Sequence, residues 1–137
     1  MQLKVHLHFM GDCQEALDFY GKIFNTSHGR IVNYGESPSD PNNPLPEGYA
    51  DKIMNTEMDI AGFTVMFSDG YPGWEAVKGN HVTLTANTNT VDEATRIFSG
   101  LQENGNVLMP LGETFFSEAY GMLIDKYGVL WHIAVAI

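Results

Sequence analysis

The chain has 137 residues, 44% of them hydrophobic, and sets seven Lys and Arg against seventeen Asp and Glu for a net charge of −10. That length supports one globular domain, or two small halves sharing a core, and so acidic a surface argues against nucleic-acid and membrane partners because it repels phosphate backbones and anionic headgroups. No run approaches the roughly 18–20 apolar residues of a membrane span, Met1-Gln2-Leu3-Lys4 lacks the apolar core of a signal peptide, and Cys13 stands alone, so a disulfide scaffold and a zinc ribbon are excluded and the sequence reads as cytoplasmic.

The first predicted element is a short strand, Val5-His6-Leu7-His8-Phe9, whose alternation puts three apolar side chains on one face and two imidazoles on the other. Asp12 stands three residues before Glu15, the spacing of a capping box, and Ala16, Phe19, Tyr20, Ile23 and Phe24 then recur at helical spacing up to a stop at Asn25 and Gly29. Ser27 to Tyr34 reads as a strand. Gly35 to Tyr49, with four prolines, two glycines and two asparagines, reads as a loop. Lys52 to Ile60 and Phe63 to Ser68 form a predicted hairpin turning at Ala61-Gly62, and Asp69-Gly70-Tyr71-Pro72-Gly73 breaks the chain.

The second half repeats the first. Val82 to Ala86 is a strand, Thr90 and Glu93 repeat the capping-box spacing, and Val91, Ala94, Ile97, Phe98 and Leu101 mark a second amphipathic helix. A shift of 78 positions lays Asp12 on Thr90, Glu15 on Glu93, Ala16 on Ala94 and Tyr20 on Phe98. Asn104-Gly105 ends the helix, Val107 to Met109 opens a strand, and Ala119 to Asp125 and Val129 to Val135 make a hairpin through Lys126-Tyr127-Gly128. Each half is strand, helix and about three strands, and one such unit alone does not bury both faces of its sheet.

The motifs Gly11-Asp12-Cys13-Gln14-Glu15-Ala16-Leu17-Asp18-Phe19-Tyr20, Ile60-Ala61-Gly62 with Phe67-Ser68-Asp69, Glu113-Thr114-Phe115-Phe116, and Asp125-Lys126-Tyr127-Gly128-Val129-Leu130-Trp131-His132-Ile133 span nearly the whole chain. In them the sequence resembles the vicinal-oxygen-chelate superfamily, the glyoxalase, bleomycin-resistance and dioxygenase fold, and within it the PhnB-like branch, some of whose members carry a 3-demethylubiquinone methyltransferase label. The resemblance implies an α+β fold: one domain over residues 1–137, made of module 1 (about 1–70) and module 2 (about 79–137), two βαβββ modules pairing into a concave mixed sheet around a cleft. It also implies a homodimer.

The superfamily's metal enzymes place one ligand on the first and one on the last strand of each module. Carried over, these positions fall on Val5, Met66, His81 and His132, with His6 and His8 turned to the first helix. Only His81 and His132 are good donors for a divalent metal; catalytic sites usually fix their ion with three or four protein groups, and Glu57 and Glu118 complete the set only if their strands turn them inward. His28 reads as exposed. The resemblance also sets Trp74, Phe115, Phe116, Tyr120 and Trp131, with Tyr71, in or beside the cleft, where flat apolar walls suit a small organic ligand. Cys13, in the first turn of a helix, reads as a buried apolar residue rather than a reactive thiol.

Three functions follow as expectations. The first is a PhnB-like cleft that binds a small organic molecule without a complete metal site, as the superfamily's antibiotic-binding proteins do. The second is a lyase, isomerase or dioxygenase in which His81 and His132 hold a divalent metal. The third is a dimeric scaffold with a vestigial cleft, and whether the chain is an enzyme stays open among them. A methyltransferase using S-adenosylmethionine would need a glycine-rich strand-to-helix turn on a parallel sheet, which the sequence does not supply.

Overall fold

Val5, Leu7 and Phe9 of β1 (Val5–Phe9) point toward α1 (Cys13–Phe24), as their apolar alternation requires, in a computed structural model that describes residues 1–137. The chain divides into two units, Met1–Ala76 and Val77–Ile137. In unit 1, β1 and α1 are followed by β2 (Val32–Asn33), a 3-10 turn (Tyr34–Glu36), β3 (Ile53–Ile60) and β4 (Phe63–Asp69). The sheet order is β1-β4-β3-β2, with β1 parallel to β4 and the other pairs antiparallel. Unit 2 repeats the plan with β5 (Leu84–Thr88), α2 (Val91–Leu101), β6 (Asn106–Gly112), β7 (Tyr120–Ile124) and β8 (Leu130–Val135) in the order β5-β8-β7-β6. The expected α+β fold of two βαβββ modules is therefore the observed one, and both helices lie where the capping-box spacing and the apolar periodicity set them. No helix is long and apolar enough to cross a membrane.

One face of each sheet is covered by its helix. In unit 1, α1 buries Cys13, Ala16, Leu17, Tyr20 and Ile23. The Tyr20 ring lies 6.0 Å from that of Phe67, which in turn stacks with Phe9 at 6.0 Å. In unit 2, Ala94, Ile97, Phe98 and Leu101 are the buried residues of α2. A Cβ on Gly121 would stand 2.8 Å from Cε2 of Phe98, so the absence of a side chain there is what lets α2 approach β7.

The two helices begin differently, although their sequences predict the same cap. Thr90 Oγ1 accepts from the Glu93 N–H at 3.1 Å, and Glu93 Oε2 accepts from the Asn89 N–H at 3.2 Å. Asp12 makes no side-chain cap to α1. Its work is done from the far end of β4, where one Asp69 oxygen accepts from the N–H groups of Gly11 (2.8 Å) and Cys13 (3.0 Å) and the other from Ile53 (2.9 Å). A long-range carboxylate displaced the local cap because β1 and β4 pair in parallel and bring Asp69 beside Phe9, at the mouth of the turn into the helix.

The strand expected over Ser27 to Tyr34 shrinks to Val32–Asn33 and an isolated bridge from His28 to Met58. The ladder shifts register at Val32/Asn33, and upstream the segment is held by the Gly29 N–H donating to Glu57 O at 2.8 Å. The proline-rich loop is tied to its own unit: the rings of Tyr34 and Tyr49 lie 5.0 Å apart, Tyr34 Oη donates to Asp69 O at 2.7 Å, Tyr49 Oη donates to Gly70 O, and Asn43 Nδ2 donates to Tyr71 Oη. The hairpin between β3 and β4 turns where expected, with Ala61 and Gly62 both at positive φ (50° and 80°), the pattern of a tight two-residue turn.

Candidate functional site

Because strand side chains alternate, the residues not under a helix are set by the ladders. In unit 1 the uncovered face carries His6 and His8 from β1, Met66 and Ser68 from β4, and Asn55 and Glu57 from β3: His6 pairs with Met66, His8 with Ser68 and Glu57 with Met66. This corrects the expectation that His6 and His8 turn toward α1 while Val5 opens outward. Burying Val5, Leu7 and Phe9 against Val65, Phe67 and α1 removes far more apolar surface from water than burying two imidazoles would, and strand parity then sends the histidines to the other face.

His6 and His8 are exposed and stacked, with centroids 4.0 Å apart. His6 Nε2 lies 2.9 Å from Ser68 Oγ and His8 Nδ1 lies 3.1 Å from the same atom. Trp74 closes one side with its ring centroid 5.0 Å from His8, seated over Gly70, where any Cβ would stand 2.4 Å from the indole. On the same face Lys4 Nζ donates to Glu57 Oε1 at 2.5 Å, and Asn55 Oδ1 is buried without a partner. Burial first, then the neighbouring charge of His8, lower the pKa of His6.

In unit 2 the uncovered face is built on His132 of β8, whose ladder partners are Thr85 of β5 and Met122 of β7. Tyr120 and His132 are joined at 2.5 Å between Oη and Nδ1. From there the rings run outward, Tyr120 to Phe116 at 5.0 Å and Phe116 to Phe115 at 5.2 Å, each pair edge to face. Phe116 is half-exposed and Phe115 fully so. A hollow of about 340 Å³ opens beside Phe115 and Phe116 between Glu113, Glu118 and Ala136, at the end of the ring chain away from His132.

The residues read from the sequence are thus distributed unequally. Met66 and Trp74 belong to the unit 1 face, and His132, Tyr120, Phe116 and Phe115 to the unit 2 face. Trp131 joins neither, because it alternates with His132 and so lies on the helix-covered side, 2% exposed, with Nε1 donating to Asp125 Oδ2 at 2.9 Å. His81 is exposed and lies before β5 begins; the residue the ladder sets beside His132 is Thr85. Neither Ser68 nor Asn55 was singled out from the sequence as a site residue. The signal for Ser68 was its place in the Phe67-Ser68-Asp69 motif, on the strand that pairs with the two histidines.

As to metal, no group of three or more His, Cys, Asp and Glu side chains that could hold an ion is present. The donors that do converge, a His132 nitrogen facing a tyrosine hydroxyl and two imidazoles sharing a serine, do not fit a resident divalent ion, for which three or four ligands are usual. Cys13 is buried completely, and burial first, then Asp69 and Asp12, push its thiol pKa far up, so it supplies no nucleophile.

Each unit is a βαβββ module with one face under its helix and the other carrying histidine and aromatic side chains. In keeping with this, the fosfomycin resistance protein FosX of Listeria monocytogenes is 10% identical and superposes with a TM-score of 0.66 over 98% of this chain and 91% of its own, a likeness of fold alone. Residues 1–134 match the model of the family described as 3-demethylubiquinone-9 3-methyltransferase, and the chain belongs to that family. The protein PA1353 of Pseudomonas aeruginosa is 31% identical, with a TM-score of 0.84 over 98% of this chain and 97% of its own. A putative 3-demethylubiquinone-9 3-methyltransferase, PhnB protein, from Bacillus cereus is 27% identical, with a TM-score of 0.75 over 99% and 100% of the two chains.

Proposed function

We propose that this chain is a PhnB-like, small-molecule-binding protein whose unit 2 face holds a small organic ligand against Phe116 and Tyr120, with the Tyr120–His132 pair recognising a polar group on it. The observation that carries the reading is the ring chain from Phe115 to His132, in which half-exposed apolar walls lead to a hydroxyl and an imidazole already oriented toward each other. His132 Nδ1 is engaged by Tyr120, leaving Nε2 for a ligand. The family description does not carry over as an activity: both sheets are mixed, and neither turn into a helix, Met10 to Asp12 or Asn89-Thr90, is the glycine-rich loop that holds a nucleoside cofactor.

The same reading takes the chain as a homodimer. Val107, Leu108 and Met109 on β6, the outermost strand of its sheet, are 38%, 45% and 42% exposed, an apolar edge of the kind a second copy covers. The ligand reading is tested by thermal-shift measurement of the full chain against a panel of small aromatic acids and phenols. Compounds that raise the melting temperature of the native protein should lose that effect in His132→Ala and Tyr120→Phe; equal shifts in the native protein and both variants would overturn it.

A further inference from the structure

The unit 1 face is not used by the reading above, and its polar groups constrain one another more tightly. His6 Nε2 and His8 Nδ1 converge on one serine oxygen, at 2.9 and 3.1 Å. A hydroxyl has a single proton and two lone pairs, so Ser68 Oγ donates to at most one of the two nitrogens, and at least one ring donates its own N–H to Oγ. If His6 Nε2 is the donor, His6 Nδ1 is bare and His8 Nε2 carries a proton. If His8 Nδ1 is the donor, the outward nitrogens exchange roles. In each of these arrangements two neutral rings present one donor and one acceptor at the nitrogens not bonded to Ser68, and a shift of protons through Ser68 swaps them; when both rings donate to Oγ, both of those nitrogens are acceptors.

The surroundings narrow what that pair would recognise. Lys4 and Glu57, the charged groups on the same face, are paired with each other at 2.5 Å, so the face offers no uncommitted cation for an anion. Burial and His8 keep His6 neutral to a lower pH than a free imidazole. The register that pairs Thr56 with Phe67 sets Asn55 next to Ser68, and its buried Oδ1 lacks a donor. Trp74 supplies a flat wall 5.0 Å from His8.

We propose that His6, Ser68 and His8, walled by Trp74, form a second binding site that takes the neutral carboxamide of a small flat molecule. A primary carboxamide carries one acceptor and two N–H donors, and so pairs with the two remaining nitrogens whether they are one donor and one acceptor or two acceptors. A carboxylate has acceptors only and meets the bare nitrogen with a lone pair, so it is rejected while both rings are neutral. The recognition needs no metal.

The test is an NMR titration of the full chain, with its histidine rings isotopically labelled, at pH 7.5 with two probes of the same shape, benzamide and benzoate. Benzamide is expected to move the ring signals of His6 and His8 saturably and to leave His28 and His81 unmoved, while benzoate moves neither of the pair. Ser68→Ala should weaken benzamide about tenfold or more, equivalent to about 1.4 kcal/mol, and remove the preference over benzoate. Because Ser68 is buried, the exposed His8→Ala serves as a second variant, expected to weaken benzamide as much with an unchanged circular dichroism spectrum. Equal response to the two probes, no movement of the His6 and His8 rings, or undiminished binding in both variants would overturn the proposal.

Discussion

His6 sits beside a second imidazole and over a buried serine, and both the burial and the neighbour oppose its protonation. The unfolded chain has neither constraint, so as pH falls through the ordinary histidine value of 6.5 the unfolded state takes up a proton that the folded state refuses. Stability contributed at this residue is therefore full above that value, declines as pH drops below it, and stops declining beneath the lowered folded-state pKa. Urea midpoints measured from pH 8 to 5 should fall more steeply for the native chain than for His6→Gln; parallel curves would contradict the assignment. The alternation of His6 and His8 with three apolar residues already said that imidazoles and core lie on opposite faces. What misled was the carried-over ligand register, which set Val5 toward a ligand against the pull of its own hydrophobicity. Trp131 misled in the same way, for its place beside His132 in sequence is what puts it on the opposite face.

At the scale of elements, the two helices share a capping-box spacing and only the second uses it. Asp69 replaces the local cap of α1 with three backbone N–H acceptances from Gly11, Cys13 and Ile53, tying a helix, a turn and a strand to one buried carboxylate. Asp69→Ala leaves those donors unpaired in the interior and should cost roughly 3 kcal/mol or more of unfolding free energy. Thr90→Ala should cost about 1 kcal/mol, whereas Asp12→Ala should stay within about 0.5 kcal/mol. Chemical denaturation of the three variants checks the order, and an Asp12 variant as damaging as Asp69 would refute it. Helix positions were legible because apolar periodicity over eleven or twelve residues is a strong signal. The Asp69 cap was not, since it depends on parallel pairing of β1 with a strand more than fifty residues away, as the separation of 56 residues in its bond to Cys13 records. The short β2 was lost for a similar reason: Ser27 to Tyr34 has strand-forming residues, but the register shift at Val32/Asn33 limits its ladder to two positions.

For the whole molecule, the 78-position repeat read from the sequence reappears as two units with the same strand order, each with a helix-covered face and a face that bears histidine and aromatic side chains. Fold was legible because it is written in long patterns; the site was legible only in part, because which rings meet depends on ladder register one residue at a time. His132 and Tyr120 meet through the Met122–His132 and Tyr120–Ala134 pairings, which no spacing rule announces. The proposed dimer makes its own demand: light scattering should return a mass near twice 15.2 kDa, and Leu108→Lys on the exposed β6 edge should lower it toward the single-chain value. A single-chain mass at every concentration would contradict that assembly.

The most direct test of the ligand reading is a map of where small aromatic fragments bind, made by following backbone and side-chain NMR signals of the full chain during a fragment screen. Saturable shifts are expected to concentrate on Phe116, Tyr120, Met122 and His132 and to be lost in Tyr120→Phe. A screen in which no fragment perturbs these four residues, or in which their shifts survive Tyr120→Phe, would contradict that reading.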